Sequence, residues 1–371
     1  MFSRMKVGIS SWFAVVLTVM FTALMACAAA ITLPQVVTVI STVAPAETEQ
    51  PAASASTLAV ATLDPTALAM HCPHGDCANV CLSQLDSIPL STGSSENRPK
   101  AAGQGANGLP AVVLVTYPVN GDTLGAAKDA EQVAPALQAL QHDQAAQQKI
   151  WDYFSAIIPA GQRTSLAYYI VATDGKAGML ASVEQFSGHA GIWALVVDPT
   201  DASKPRDLTF TLLHEFGHLL SLDSSQVQPD QAVLSHPDDL QVYEKEAASC
   251  PQYFASGGCS LPDSYINQFF ERFWTKIYGE WSAVNAARQD SNYIALLARF
   301  YHRHPSQFIT AYAATSPEED IAETWAYFVL NPKPPDDSIA HKKVLFFYGF
   351  PELVSLRNQI ISNICTYAAS K

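Results

Sequence analysis

Positive charge is scarce in this chain: 21 Lys and Arg stand against 34 Asp and Glu in 371 residues, a formal net charge of −13. Phosphate contacts need clustered cations, so a general nucleic-acid-binding surface is excluded and the acidity serves solubility. No internal repeat is found. Basic residues are missing altogether from Ala28 to Thr66, where Ala, Thr, Val, Pro and Ser dominate and only Glu47, Glu49 and Asp64 carry charge. That composition makes a tether rather than a packed unit. What the chain does have is apolar residues, 49% of the total, enough to bury a sizeable core in one large domain or two small ones.

The N-terminus reads as an export signal, because Arg4 and Lys6 precede a largely apolar run from Val7 to Met25 that ends in the small residues Ala26 and Ala28. Its length also fits a single membrane anchor. Leu24, Met25, Ala26 and Cys27 resemble the lipobox of bacterial lipoproteins, with Met25 departing from the usual small residue. The resemblance implies cleavage before Cys27, a lipid on that cysteine and a place on the extracellular face of the cell membrane. Plain secretion and an uncleaved anchor are the other readings. The expected organisation is a signal over residues 1–27, a tether over 28–66, a cysteine-rich lead-in over 67–106 and a catalytic domain over 107–371.

Removing Cys27 leaves Cys72, Cys77, Cys81, Cys250, Cys259 and Cys365, an even set suited to three disulfides in an oxidising compartment. Cys250 and Cys259 bracket a short loop containing Pro and Gly and form the expected local pair. Cys365 is a candidate long-range partner for the Cys72–Cys81 cluster. His71 and His74 beside those cysteines also raise a second zinc site, but the disulfide reading is preferred in an exported chain.

From about Gly108 the pattern turns globular and mixed: β-rich at Ala111–Tyr117, helical from roughly Ala126 to Ile158, and strand-like at Leu166–Ala172 and Ile192–Val197. Later signals are mainly helical, at Tyr265–Tyr278, Asn292–Tyr301, Pro317–Leu330 and Leu353–Ala368. The expected class is α+β.

Between the halves, Asp207 reads as the N-cap of a helix whose apolar residues cover a wide arc, so the helix should be deeply buried. It carries His214, Glu215, Phe216, Gly217 and His218, the pattern HExxH. Imidazoles at i and i+4 share one face and can meet one metal ion, while Glu215 can act as general base toward a water activated there. One zinc ion per chain is expected. The metzincin continuation fails, with Ser221 where glycine should stand and Ser224 where a third ligand should stand; Asp223 is one residue out of register.

A third ligand is found downstream. Ser316 reads as an N-cap with Pro317 at the first helical position, which places Glu319 and Glu323 on one helix face. One of these two carboxylates is the expected third ligand and the other would orient an imidazole N–H from behind it. Ser316 and Glu319 are also a capping box, which needs no metal, and Glu318 is the fallback ligand.

HEFGH with a later Glu-Asp-x-Ala-Glu helix resembles the gluzincin metallopeptidases, and the preceding tyrosine makes the pattern similar to the anthrax lethal factor catalytic domain and its relatives. The resemblance implies a zincin-like core, zinc binding by Glu319, support of a ligand histidine by Glu323, and donation by Tyr312 to the transition-state oxyanion. His189 is a weaker candidate for that last role. In this group the strand before the active helix often lies at the cleft edge, which would make Ile192–Val197 the docking edge for an extended peptide. The expected function is hydrolysis of peptide or protein substrates by an exported, membrane-attached zinc enzyme with no obligate protein partner. A surface lipoprotein with a non-catalytic zinc site and a zinc hydrolase of a non-peptide amide are the rival readings.

Overall fold

In the computed structural model, residues 111–370 are described, apart from 176–178, 186–188, 190, 203, 237–238, 256 and 289. The signal and lipobox with Cys27, the tether and the cysteine-rich lead-in with its alternative zinc site lie outside the described residues.

The first half builds a sheet from β1 (Val112–Asn120), β2 (Thr123–Leu124), β3 (Lys128–Asp129), β4 (Leu166–Thr173), β5 (Ala181–Gln185) and β6 (Trp193–Val197). Their order is β2-β1-β4-β6-β5, with β3 also on β1, and β4 with β6 is the parallel pair. All five residues of β6 are buried, and β4 and β5 pair with it on either side. The expectation that Ile192–Val197 forms the cleft edge is therefore corrected, because a continuous apolar run is the pattern of an interior strand whose backbone groups are already used. The edge is β5, which alternates toward polarity at Ser182 and Glu184 and runs antiparallel to β6.

The helix expected over 126–158 is shorter. Residues 128–129 pair with β1, Pro135 begins a 3-10 turn that runs into a single α-helical turn over Gln138–Gln141, and α1 proper is Gln144–Ile157, capped by the Asp143 side chain. Pro135 fits a first helical position, and the break before α1 falls at His142 and Asp143, where the Asp143 side chain caps the new helix by accepting from the Ala146 N–H. Helix α2 (Pro205–Leu222) starts earlier than expected: Pro205 takes the first helical position, Lys204 is the N-cap, and Asp207 lies in the first turn, where its charge suits the dipole.

A small sheet that the sequence did not reveal follows, from β7 (Val227–Pro229), β8 (Phe254–Ala255) and β9 (Gly258–Ser260), with α3 (Leu240–Ser249) between β7 and β8. Cys250 and Cys259 are disulfide-bonded across it, as expected, with Cα atoms 5.6 Å apart. Cys365 is disulfide-bonded as well. The rest is helical: α4 (Tyr265–Phe273), α5 (Tyr278–Asn285), α6 (Tyr293–Arg303), α7 (Pro317–Leu330), α8 (Ile339–Phe347) and α9 (Pro351–Ala369). Among the described residues no helix is long and apolar enough to cross a membrane.

The core lies between the sheet and these helices, and its centre is the contact of α2 with α7. Phe216 on α2 sets its ring centroid 6.0 Å from that of Trp325 on α7, and Leu212, Leu213, Ile321 and Ala322 on the two helices are, like them, within 1% of complete burial. The axes close at Gly217, where an added Cβ would sit 3.0 Å from Ala322 Cα and 3.2 Å from Trp325 Cδ1. A second fixture holds α7 from its other side. Asp320 pairs with Lys343 of α8, both fully buried, and also accepts from Trp274 Nε1 at 2.8 Å. The Lys343 ammonium lies 4.3 Å from the Phe308 ring centroid.

Gly217→Ala should gain up to about 1 kcal/mol of helix propensity yet lose about 1–3 kcal/mol to overpacking. Urea melts should show net destabilisation. Gly279→Ala is the control, since nothing lies within 4 Å of a Cβ there; it should be neutral or stabilising, and equal behaviour of the two variants would refute the close-packing account.

Candidate metal centre

His214 and His218 are 4% and 6% exposed on the face of α2 that meets α7. Glu319 arrives from the first turn of α7, where the Ser316 hydroxyl accepts from the Glu319 backbone N–H at 3.1 Å. The N-cap thus fixes the backbone while the carboxylate turns to the histidines, so capping and ligation are compatible at this position. His214 Nε2 lies 3.0 Å from Glu319 Oε2, the two Nε2 atoms are 3.1 Å apart, and His218 Nε2 is 3.3 Å from the same oxygen.

These separations test the fit of a metal. Tetrahedral zinc bonded at about 2.0–2.2 Å places its ligand atoms about 3.3–3.6 Å apart, and the triangle is within a few tenths of an ångström of that. The donor set, two imidazole nitrogens and one carboxylate oxygen, is the borderline kind zinc takes. Zinc therefore fits the residues present.

Glu323, one turn beyond Glu319, puts Oε1 3.1 Å from His214 Nδ1. That nitrogen has no well-aligned hydrogen bond, so the contact is close charge proximity more than a full bond. The other Glu323 oxygen accepts from Thr310 Oγ1 at 2.6 Å, and Thr310 in turn accepts from the Ala313 backbone N–H at 3.1 Å. Thr310 thereby ties the turn Tyr312–Thr315 to the histidine. Tyr312 is half-buried there, its ring centroid 5.7 Å from that of His214.

Charge in the cluster is unevenly shared. Burial alone would lower the His214 pKa, but the Glu319 and Glu323 carboxylates on either side of the ring hold it well above the usual imidazole range. Burial opposes ionisation of Glu319 too, yet the His218 charge and the bonds to both imidazoles keep it well below the carboxylate range. Glu215, 2% exposed, is pushed up to about 7, chiefly by burial, with the histidines and a backbone hydrogen bond from Val183 of β5 pulling the other way. Its Oε2 has no hydrogen-bond partner among the described residues. A buried carboxylate oxygen without a donor beside two imidazoles fits a site that could hold a cation.

The structure thus brings together His214, His218, Glu319, Glu215, Glu323 and Tyr312. It does not bring in His189, which is exposed in the loop before β6. Glu318 is not at the triangle; it accepts from the Tyr253 hydroxyl at 2.8 Å. Gly217, Thr310 and Val183 were missed by sequence reasoning. Glycine inside HEFGH is a signal that could have been read, whereas the Thr310 and Val183 contacts are tertiary and leave no local trace. A second acidic group, Asp174, Asp198 and Asp201, also lies within ligand distance; there the buried Asp198 carboxylate is engaged by the backbone N–H groups of Asp174 and Thr200.

A cavity of about 420 Å³ opens onto the triangle through His218 and Glu319. Val183 and Gln185 of the edge strand β5 line its near wall, and Tyr253 and Ala255 of the disulfide-bonded loop line another.

Zinc at about 100 times its Kd should stabilise the chain by about 2.7 kcal/mol, roughly 5–10 °C in melting temperature for a domain of this size. His214→Ala and Glu319→Ala should each abolish the shift in thermal melts. An undiminished shift in either variant would place the metal elsewhere.

No family model, no curated protein and no solved structure matches this chain.

Proposed function

We propose that the chain is a zinc-dependent peptidase with a zincin-like core, in which His214, His218 and Glu319 hold the metal and Glu215 is the general base. The observation that carries the reading is the 3.0–3.3 Å triangle with the donor-free Glu215 oxygen beside it. An antiparallel edge strand over the active helix and a glutamate helix packed against it support the same reading.

Zinc in that position would supply Lewis acidity, lowering the pKa of water and polarising a carbonyl. The remaining work falls to side chains. Glu215 accepts a proton on Oε2 and passes it to the leaving amine; its Val183 bond fixes the carboxylate for both steps, and a pKa raised by burial suits a group that must take and release a proton near neutrality. Glu323 orients the His214 ring and is itself oriented by Thr310. Tyr312 supplies a phenol for the oxyanion of a tetrahedral intermediate. Among the described residues β5 is the outer strand, and its edge on either side of the Val183 N–H that Glu215 uses can receive an extended peptide by strand addition.

Export as a lipoprotein anchored at Cys27 belongs to the same proposal. The Cys250–Cys259 bridge supports an oxidising compartment.

Glu215→Gln separates this reading from its rivals. It should keep one zinc per chain by elemental analysis while cleavage in a peptide-library digest falls by about 10²–10⁴. Tight zinc with no cleavage by the wild type would favour a structural zinc site or a non-peptide amide substrate.

A further inference from the structure

The cavity beside the triangle has a chemistry of its own. Its lining includes the rings of Trp193, Tyr243, Tyr253 and Trp281 and the carboxylate of Glu318, while Arg288 is an exposed residue at the rim. Tyr253 and Trp281 are buried, at 5% and 7% exposure, and Trp281 is fixed by donation from its Nε1 to the Thr315 carbonyl at 2.8 Å. Glu318 is held in turn by the Tyr253 hydroxyl. Burial first, and then the Glu318 charge, raises the phenol pKa values of Tyr253, Tyr243 and Tyr278, so all three rings surrounding this carboxylate stay protonated.

Each class of occupant can be weighed against that lining. An apolar side chain would shut water away from a carboxylate while offering it no charge in return. An acidic one would meet Glu318 with Glu319 one residue away on the same helix. A cation answers both difficulties: it pairs with the carboxylate and presents its charge to aromatic faces, the arrangement in which cation–π attraction is strongest when water is excluded. Long Lys and Arg stems also bury well along aromatic walls.

We propose that this cavity is a subsite for a basic side chain, Lys or Arg, on a substrate residue next to the bond to be cut, with Glu318 as the specificity-determining carboxylate. The inference rests on the peptidase reading for the word substrate, but the preference for a cation rests on the cavity alone. Sequence position sharpens it: Glu318 and Glu319 are consecutive, so the group that selects the side chain and the group that holds the metal share one capped helical turn. The scissile bond and the selected side chain would then be positioned by a single rigid element.

The test uses the full-length, zinc-loaded protein and small probes that need no cleavage: acetyl-lysine, acetyl-norleucine and acetyl-glutamate methylamides, titrated calorimetrically. Wild type should bind the lysine probe at least about 10-fold tighter than its neutral isostere, norleucine. Glu318→Gln should bring that ratio to within about twofold of unity, and Arg288→Glu, at the exposed rim, should raise it several-fold even if the first variant folds poorly. A wild-type ratio near unity, or a ratio unchanged by both variants, overturns the assignment. A peptide-library digest on the same samples separates the two readings. Lysine-selective binding without any cleavage would sink the peptidase and leave the subsite standing, whereas cleavage indifferent to basic residues at every position near the cut would do the opposite.

Discussion

The approach of α2 to α7 at Gly217 is the constraint from which the rest of the site follows. Three of the acting side chains, His214, Glu215 and His218, belong to one helix, and Glu319 and Glu323 to the other. No local signal brings the two together across a separation of 105 residues from His214 to Glu319. The histidines and carboxylates reach one another only because two backbones can touch where a glycine faces Ala322. Apolar burial drives that contact, through Phe216, Trp325 and their neighbours, and the polar cluster is carried into the interior with it. The site is thus assembled by the packing of residues that take no part in its chemistry.

What is carried in is electrostatically awkward. Three carboxylates, Glu215, Glu319 and Glu323, accompany two imidazoles, and all but Glu319 are nearly inaccessible. His214 faces Glu319 on one ring nitrogen and Glu323 on the other, and the two carboxylates favour its protonated form. Glu215 responds by favouring its neutral form. A dication at the triangle would relieve both strains together, drawing Glu215 back toward ionisation.

Much of this was legible in the sequence, and unevenly so. HEFGH on an apolar helix and the Ser-Pro-Glu-Glu start of a second helix are local patterns with local causes, and the structure brings His214, His218 and Glu319 together. The cysteine pair around a short loop was equally local. The edge strand was not legible, because Ala181–Gln185 is short, contains Ser182 and Glu184, and competes with a far more apolar run that turned out to be interior. The small sheet around Cys250–Cys259 was hidden for the same reason: strands of two or three residues have no period to read. The role of Glu318 also escaped, since a first helical turn rich in acid is explained well enough by the helix dipole.

Helix α7 begins with three acidic residues in succession, Glu318, Glu319 and Asp320. Successive positions on a helix point about 100° apart, and here each direction has a different tenant: cavity, histidines, and the buried ammonium of Lys343. Chemically the three are near equivalents, so nothing intrinsic tells the fold which should face the histidines. Lys343 supplies the asymmetry. Were α7 to turn by one residue, an ammonium with no access to water would lose its counter-ion, an error far more serious than exchanging one carboxylate for another at the triangle. The buried pair acts as a key in a keyway, setting the rotational phase of the helix from a direction about 100° round from the Glu319 side chain.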